Sequence, residues 1–272
     1  MICAHCEAES PTSGPPCPEC GEAAWIEGRY RLEARVAEGP GAVVFRALAF
    51  PDRTEVAVKA YRRSVPLDEA LLDRFEREAR VLGQLDHRGI PRRIEVLKRG
   101  LGPWRRFLVT TWIQGRTLAA ELEAERTTEA EVRATVRGVA AVLAELHRYA
   151  PPFVHRDLRL EHVIRDDTGQ LWLVGFGRVQ DGLGDELPAP EGGPGYVAPE
   201  RYEGPATPAS DVYALGALAL HLLSRRPPLE LLGPRARAPW SERLPLEPST
   251  ERLLAALLAE EPDARPTAAA VA

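Results

Sequence analysis

The chain has 272 residues, enough to bury a large core, and its 44% hydrophobic and 28% charged residues are those of an ordinary globular protein. The formal charge of −5 sits in residues 1–28, which hold five glutamates and no Lys or Arg, leaving 35 basic against 35 acidic residues in the rest. Such a balance argues against nucleic-acid binding, which needs basic clusters. The longest apolar run, Val212 to Leu223, contains His221 and is too short for a bilayer. No basic-then-apolar leader opens the chain, so a cytoplasmic location without membrane contact is expected.

All four cysteines come first, as Cys3-Ala-His-Cys6 and Cys17-Pro-Glu-Cys20-Gly21. Two C-x-x-C knuckles joined by a short loop fit a tetrahedral four-cysteine zinc site, and the segment resembles a minimal zinc ribbon over residues 1–28. Free thiols, a redox disulfide, or His5 in place of one cysteine are the alternatives. Gly21 suits the turn after the second knuckle, where a positive φ aims backbone N–H groups at sulfur; Glu7 stands at the matching place in the first. So short a Pro- and Glu-rich segment cannot make a core alone, so a structural zinc ion is expected to supply its folding energy.

From Tyr30 the pattern turns strand-like, with a glycine-containing turn written Ala37-Glu-Gly39-Pro40-Gly41-Ala42-Val43-Val44. The run Glu55-Val-Ala57-Val-Lys59 reads as a further strand. Lysine occurs only here and at Lys98 in an otherwise Arg-based chain, which marks Lys59 for a site that needs a compact ammonium. Asp68 to Leu85 is periodic like an amphipathic helix and carries Glu78. Ile94–Leu97 and Arg106–Ile113 read as strands, and Thr135–Tyr149 as a helix that stops before Pro151-Pro152.

The second half carries His155-Arg156-Asp157-Leu158, then Gly175-Phe176-Gly177, then Ala198-Pro199-Glu200. Order and spacing resemble the protein-kinase set H-R-D-L-x-x-x-N, D-F-G and A-P-E, and Glu55–Lys59 resembles V-A-I-K. Ser210-Asp211 and Arg265 match further scaffold positions. Over residues 29–272 the chain thus resembles bacterial Ser/Thr kinase domains. The resemblance implies an α+β, two-lobed protein-kinase-like fold preceded by the ribbon, with an N-lobe at 29–113 and a C-lobe at 114–272. It assigns Lys59, paired with Glu78, to the ATP phosphates, and Asp157 to the proton acceptor's place. The turn at Ala37 and Gly39, the apolar Val44, Ala57 and Ile164, and the hinge at Thr111 and Ile113 are assigned to the nucleotide, with Thr110 as gatekeeper.

Five departures change the expected activity. Gly175 stands for the D-F-G aspartate and His162 for the catalytic-loop asparagine, the two side chains that hold magnesium in the family. Pro40 offers no N–H to a phosphate. The activation segment, Arg178 to Glu200, contains no Ser or Thr, and Gly193 replaces the threonine expected before Pro-Gly-Tyr. Asp166 and Asp167 are expected in a turn, facing solvent, and so unable to substitute as ligands. The expected function is a pseudokinase, a nucleotide- or protein-partner-binding scaffold or switch, in which any ATP binding is weak and independent of Mg²⁺. A residually active Ser/Thr kinase is the first alternative, and a zinc-ribbon nucleic-acid module the second.

Overall fold

Alternation of buried and outward residues, clearest in the second and third strands, builds the first sheet of this computed structural model, which describes residues 1–9, 16–39, 41–63, 69–98, 100–182, 192–233 and 239–272. Strands β1 (Tyr30–Gly39), β2 (Ala42–Ala49), β3 (Thr54–Arg62), β4 (Arg93–Leu97) and β5 (Trp104–Thr111) form one sheet in the order β1-β2-β3-β5-β4. Val43, Phe45, Val56, Val58, Phe107 and Val109 turn to one face and make its core with Trp104. Because side chains alternate with period two, Val44, Ala57 and Lys59 lie on the other face. Register pairs Val44 with Lys59, and Ala57 with Thr110. Helix α1 (Glu69–Gln84) buries Phe75, Glu78, Ala79, Val81 and Leu82. Its expected first residue, Asp68, and the turn residue Pro40 lie outside the described residues.

The ribbon belongs to the same compact unit as this sheet, which comprises Met1–Leu85 and Pro91–Ile113. β1 is an edge strand whose open backbone would otherwise be a pairing hazard. Ile2 covers part of it, bridging antiparallel to Leu32 with its N–H on the Leu32 carbonyl at 2.8 Å. Ala4 and Ile26 are buried in the sheet's own core. Trp25 stacks on Phe50 at 4.5 Å, and the Arg31 guanidinium lies over both rings. The His5 carbonyl comes so close to the β4–β5 turn that a Cβ on Gly102 would collide with it.

A second compact unit comprises Asp86–Ile90 and Gln114–Ala272. Strands β6 (Gly115–Thr117), β7 (Val163–Asp166) and β8 (Leu171–Leu173) form a small antiparallel sheet in that order. Helices α2 (Leu118–Ala124), α3 (Glu129–His147), α4 (Pro208–Ser224), α5 (Leu229–Leu232), α6 (Trp240–Arg243), α7 (Pro248–Leu257) and α8 (Ala268–Val271) complete it. α4 is buried at every position from Ser210 to Leu220, so it is a central helix around which α3 and α7 pack. α3 starts six residues before Thr135, because Thr128 and Glu131 form a reciprocal capping box. Asp166 ends β7 at the start of the expected turn, where its carboxylate accepts from Thr168, Trp172 and Gln170, which hold its pKa down at about 2. No helix among the described residues is long and apolar enough to cross a membrane.

Candidate functional site

The four cysteine sulfurs all lie within 4.8 Å of one another. Cys3 and Cys20 are 3.9 Å apart, and Cys6 and Cys17 are 3.8 Å apart. Four sulfurs at about 2.3 Å from one tetrahedral centre would be separated by about 3.8 Å, whereas a disulfide needs about 2.05 Å. The spacing fits a metal. The two knuckles match: Glu7 donates its N–H to the Cys3 carbonyl and Gly21 to that of Cys17, at φ +62 and +72. Burial pushes the Cys3 thiol up to about 12, while the Cys20 and Glu19 amides pull Cys17 down to about 7. His5 contributes a backbone N–H to the Cys3 sulfur at 3.4 Å.

Also in the sheet unit, β3 and α1 bring Lys59 and Glu78 together, with the ammonium donating to the carboxylate at 2.6 Å. Tyr61, two residues along β3, donates its O–H to the same oxygen. Its ring packs edge-on against Phe75 at 4.9 Å, so one strand side chain holds the helix by two contacts. Burial, with the Glu78 charge beside it, drives the Tyr61 phenol well above its ordinary pKa. Tyr61 belongs to no motif in the sequence; its one signal there is the i, i+2 spacing from Lys59. Ala37 and Gly39 lie at the end of β1, opposite Val44 and Ala42. Thr111 N–H is taken by the Arg92 carbonyl, and Ile113 is buried.

In the second unit, Asp211 organises the catalytic loop. Its buried carboxylate accepts the His155 and Arg156 amides at 2.7 and 2.9 Å and bonds His147 at 3.1 Å. Burial works to raise the Asp211 pKa, but the His147 bond and nearby charges carry it below its ordinary value. This grip holds Arg156 at φ +67, a conformation that non-glycine residues adopt at a cost of the order of 1–3 kcal/mol. Asp157 follows, nine-tenths buried, with Arg159 and Arg178 each 3.8 Å from Oδ1. His155 packs edge-on against Phe176 at 5.0 Å.

His162 Nδ1 bonds the Asp157 carbonyl oxygen at 2.7 Å and lies 3.6 Å from Oδ2. Burial lowers its pKa to about 4 against the pull of Asp157, so the ring is neutral at pH 7. Gly175 sits at φ +83, with Phe176–Arg178 turning away from it as a short 3-10 segment. Ile164 pairs with Thr117 and Trp172 in the small sheet. Elsewhere in the unit, Arg265 clamps Glu200 through two bonds of 2.8 and 2.9 Å, and Gly193 leaves room for Tyr196. Magnesium prefers oxygen ligands in octahedral geometry, and neither a neutral imidazole nor a glycine supplies one. The residues at these two positions do not fit the ion.

The strand-and-helix pattern, the Lys59–Glu78 pair and the Asp211-held loop define a protein kinase domain, and the chain belongs to that family, which matches residues 30–272. Serine/threonine-protein kinase PknL of Mycobacterium tuberculosis is 34% identical over 213 residues, covering 76% of this chain and 52% of the relative. Probable serine/threonine-protein kinase pknA2 of Bifidobacterium longum is 31% identical over 267 residues, covering 91% and 34%. DNA damage-responsive serine/threonine-protein kinase RqkA of Deinococcus radiodurans is 31% identical over 264 residues, covering 90% and 38%. The chain therefore spans about half the length of the first relative and about a third of the other two.

Proposed function

We propose that this chain is a pseudokinase, a kinase-fold scaffold or switch that binds a protein partner and is joined to a zinc ribbon. The observation that carries the reading is the pair Gly175 and His162, which leaves the family's two metal positions without an oxygen ligand. Phosphoryl transfer relies on positioning and on neutralising phosphate charge, largely by metal ions, so their loss removes the dominant contribution. Any ATP binding would then rest on apolar and backbone contacts from Val44, Ala57, Ile164, Thr111 and Ile113, with Lys59 as the cation for phosphate. Zinc is the metal for Cys3, Cys6, Cys17 and Cys20, since four thiolates in tetrahedral array suit it. Reduced thiols of this kind fit a cytoplasmic setting.

A residually active Ser/Thr kinase is favoured by one observation: Lys59, Glu78 and Asp157 are all retained, and the first two are paired. Two measurements decide between the readings. Calorimetry should find ATP binding that changes less than tenfold, about 1.4 kcal/mol, on adding Mg²⁺ and that weakens in Lys59→Met. Mass spectrometry should find no phosphorylation above an Asp157→Asn control. Phosphorylation that disappears in that control would make the chain a kinase.

A further inference from the structure

We infer that His162 is a plug: its imidazole fills the volume that any side chain on residue 175 must enter, so the two missing metal ligands are one coupled feature rather than two independent losses. An ideal Cβ on Gly175 would lie 2.6 Å from His162 Cδ2 and Cγ and 2.8 Å from Nδ1. Such distances are well inside van der Waals contact, so something must move before even a methyl group fits. The ring is poorly placed to give way. Nδ1 is bonded to the Asp157 carbonyl at 2.7 Å, and the side chain is only 18% exposed. The backbone on both sides is tied as well, since Val174 N–H donates to the His162 carbonyl at 2.9 Å. His155 holds the Val174 carbonyl at 3.0 Å, and its ring stands edge-on to the His162 ring.

Each residue therefore fixes the choice at the other. With histidine at 162, position 175 must be glycine. With a carboxylate at 175, position 162 must be smaller or differently shaped than imidazole. Swinging the ring aside would break its bond to the Asp157 carbonyl and expose a group whose neutral form the site favours. The left-handed φ at 175 is a separate restriction, and Asp and Asn tolerate it better than most residues. The ring, more than the backbone, is what excludes an aspartate. A metal site is thus closed to single substitutions.

This inference rests on the pseudokinase reading for its meaning, but a nucleotide-free experiment tests it independently. Thermal midpoints of Gly175→Ala, His162→Asn and the double variant form a cycle in which the φ cost of alanine appears in both arms and cancels. Gly175→Ala should lower the midpoint by at least about 3 °C more with His162 in place than in the His162→Asn background, on the usual 2–4 °C per kcal/mol for domains near this size. Equal losses in the two backgrounds would overturn the plug, whatever the catalytic status of the chain. The second arm measures ATP affinity with and without Mg²⁺ in His162→Asn, Gly175→Asp and the combined variant. Only the combined variant should gain tenfold or more with Mg²⁺. A gain in Gly175→Asp alone would show that the ring yields, and no gain in the pair would show that more than these two positions separates the chain from a metal site. A wild-type response to Mg²⁺ would instead sink the pseudokinase reading while leaving the stability cycle to judge the plug.

Discussion

His162 also makes stability depend on pH. Burial lowers its folded-state pKa to about 4 from the ordinary 6.5, against the favourable charge of Asp157 and with the unfavourable charges of His155 and Arg159. Between those values the unfolded chain binds the extra proton and the folded one does not, so stability falls as pH falls through the window from 6.5 to about 4. A shift of this size corresponds to something on the order of 3 kcal/mol once pH is below 4. Denaturant unfolding at a series of pH values should show His162→Asn with a flatter profile than wild type over that window. Identical profiles would mean the ring is not held neutral. Tyr61 supports a second prediction, since its O–H donates to the buried Glu78 carboxylate already engaged by Lys59. Tyr61→Phe keeps the ring against Phe75 and removes one bond to a charged group, worth about 1.5–3 kcal/mol. Loss of less than about 0.5 kcal/mol in urea unfolding, the size of an ordinary surface change, would mean the phenol holds nothing.

Among elements, what could be read from residue pattern alone was the part governed by period. β2 and β3 alternate, and α1 repeats as a helix, so the sheet faces of Val44, Ala57 and Lys59 followed from spacing. The start of α3 was also written in the chain as Thr128-Glu-Ala-Glu131, yet the apolar periodicity alone placed the start at Thr135, six residues too late. Other features had no local signal. Glycine at 175 reads as a missing ligand; that the His162 ring occupies its side-chain volume is a fact of two segments meeting. The attachment of the ribbon to the sheet was equally hidden, because Ile2, Ala4 and Ile26 look like stray apolar residues until β1 offers an edge and a core to cover. Glu7 is similar: in the left-handed region, where its counterpart is Gly21, it reaches Arg35 at 2.7 Å and Arg62 at 3.3 Å. Those pairs are partly exposed and individually worth little, and relief of the backbone offsets their loss. Glu7→Gly should therefore leave metal content at one equivalent and the midpoint within about 3 °C of wild type. A variant that loses the metal would show that the carboxylate shapes the site.

For the molecule as a whole, residues 1–28 are a covering piece of the sheet unit, so loss of a metal bound by the four cysteines should be felt beyond them. Elemental analysis should find about one zinc per chain, absent or weakly held in Cys17→Ser. In that variant, amide exchange along β1 should rise around Leu32, whose carbonyl accepts the Ile2 N–H. It should stay unchanged in α4, which lies in the other unit. Unaltered exchange in β1 would show that the ribbon hangs on the sheet without supporting it.

The close approach of the His5 carbonyl to Gly102 bears on the order in which the sheet unit would assemble. Ile2 meets Leu32 across a short stretch of chain, so that closure is entropically cheap and can precede most of the sheet. The contact at Gly102 joins segments far apart in the chain and forms only when the β4–β5 turn exists. On a ribosome the knuckles emerge before β1, and a metal captured there would present β1 with a finished border before β2 and β3 arrive. Zinc supply during synthesis would then govern the yield of folded protein more than the behaviour of protein already folded. Chaperone load in zinc-starved cells, compared with chelation of the purified chain, would distinguish an assembly requirement from a maintenance one.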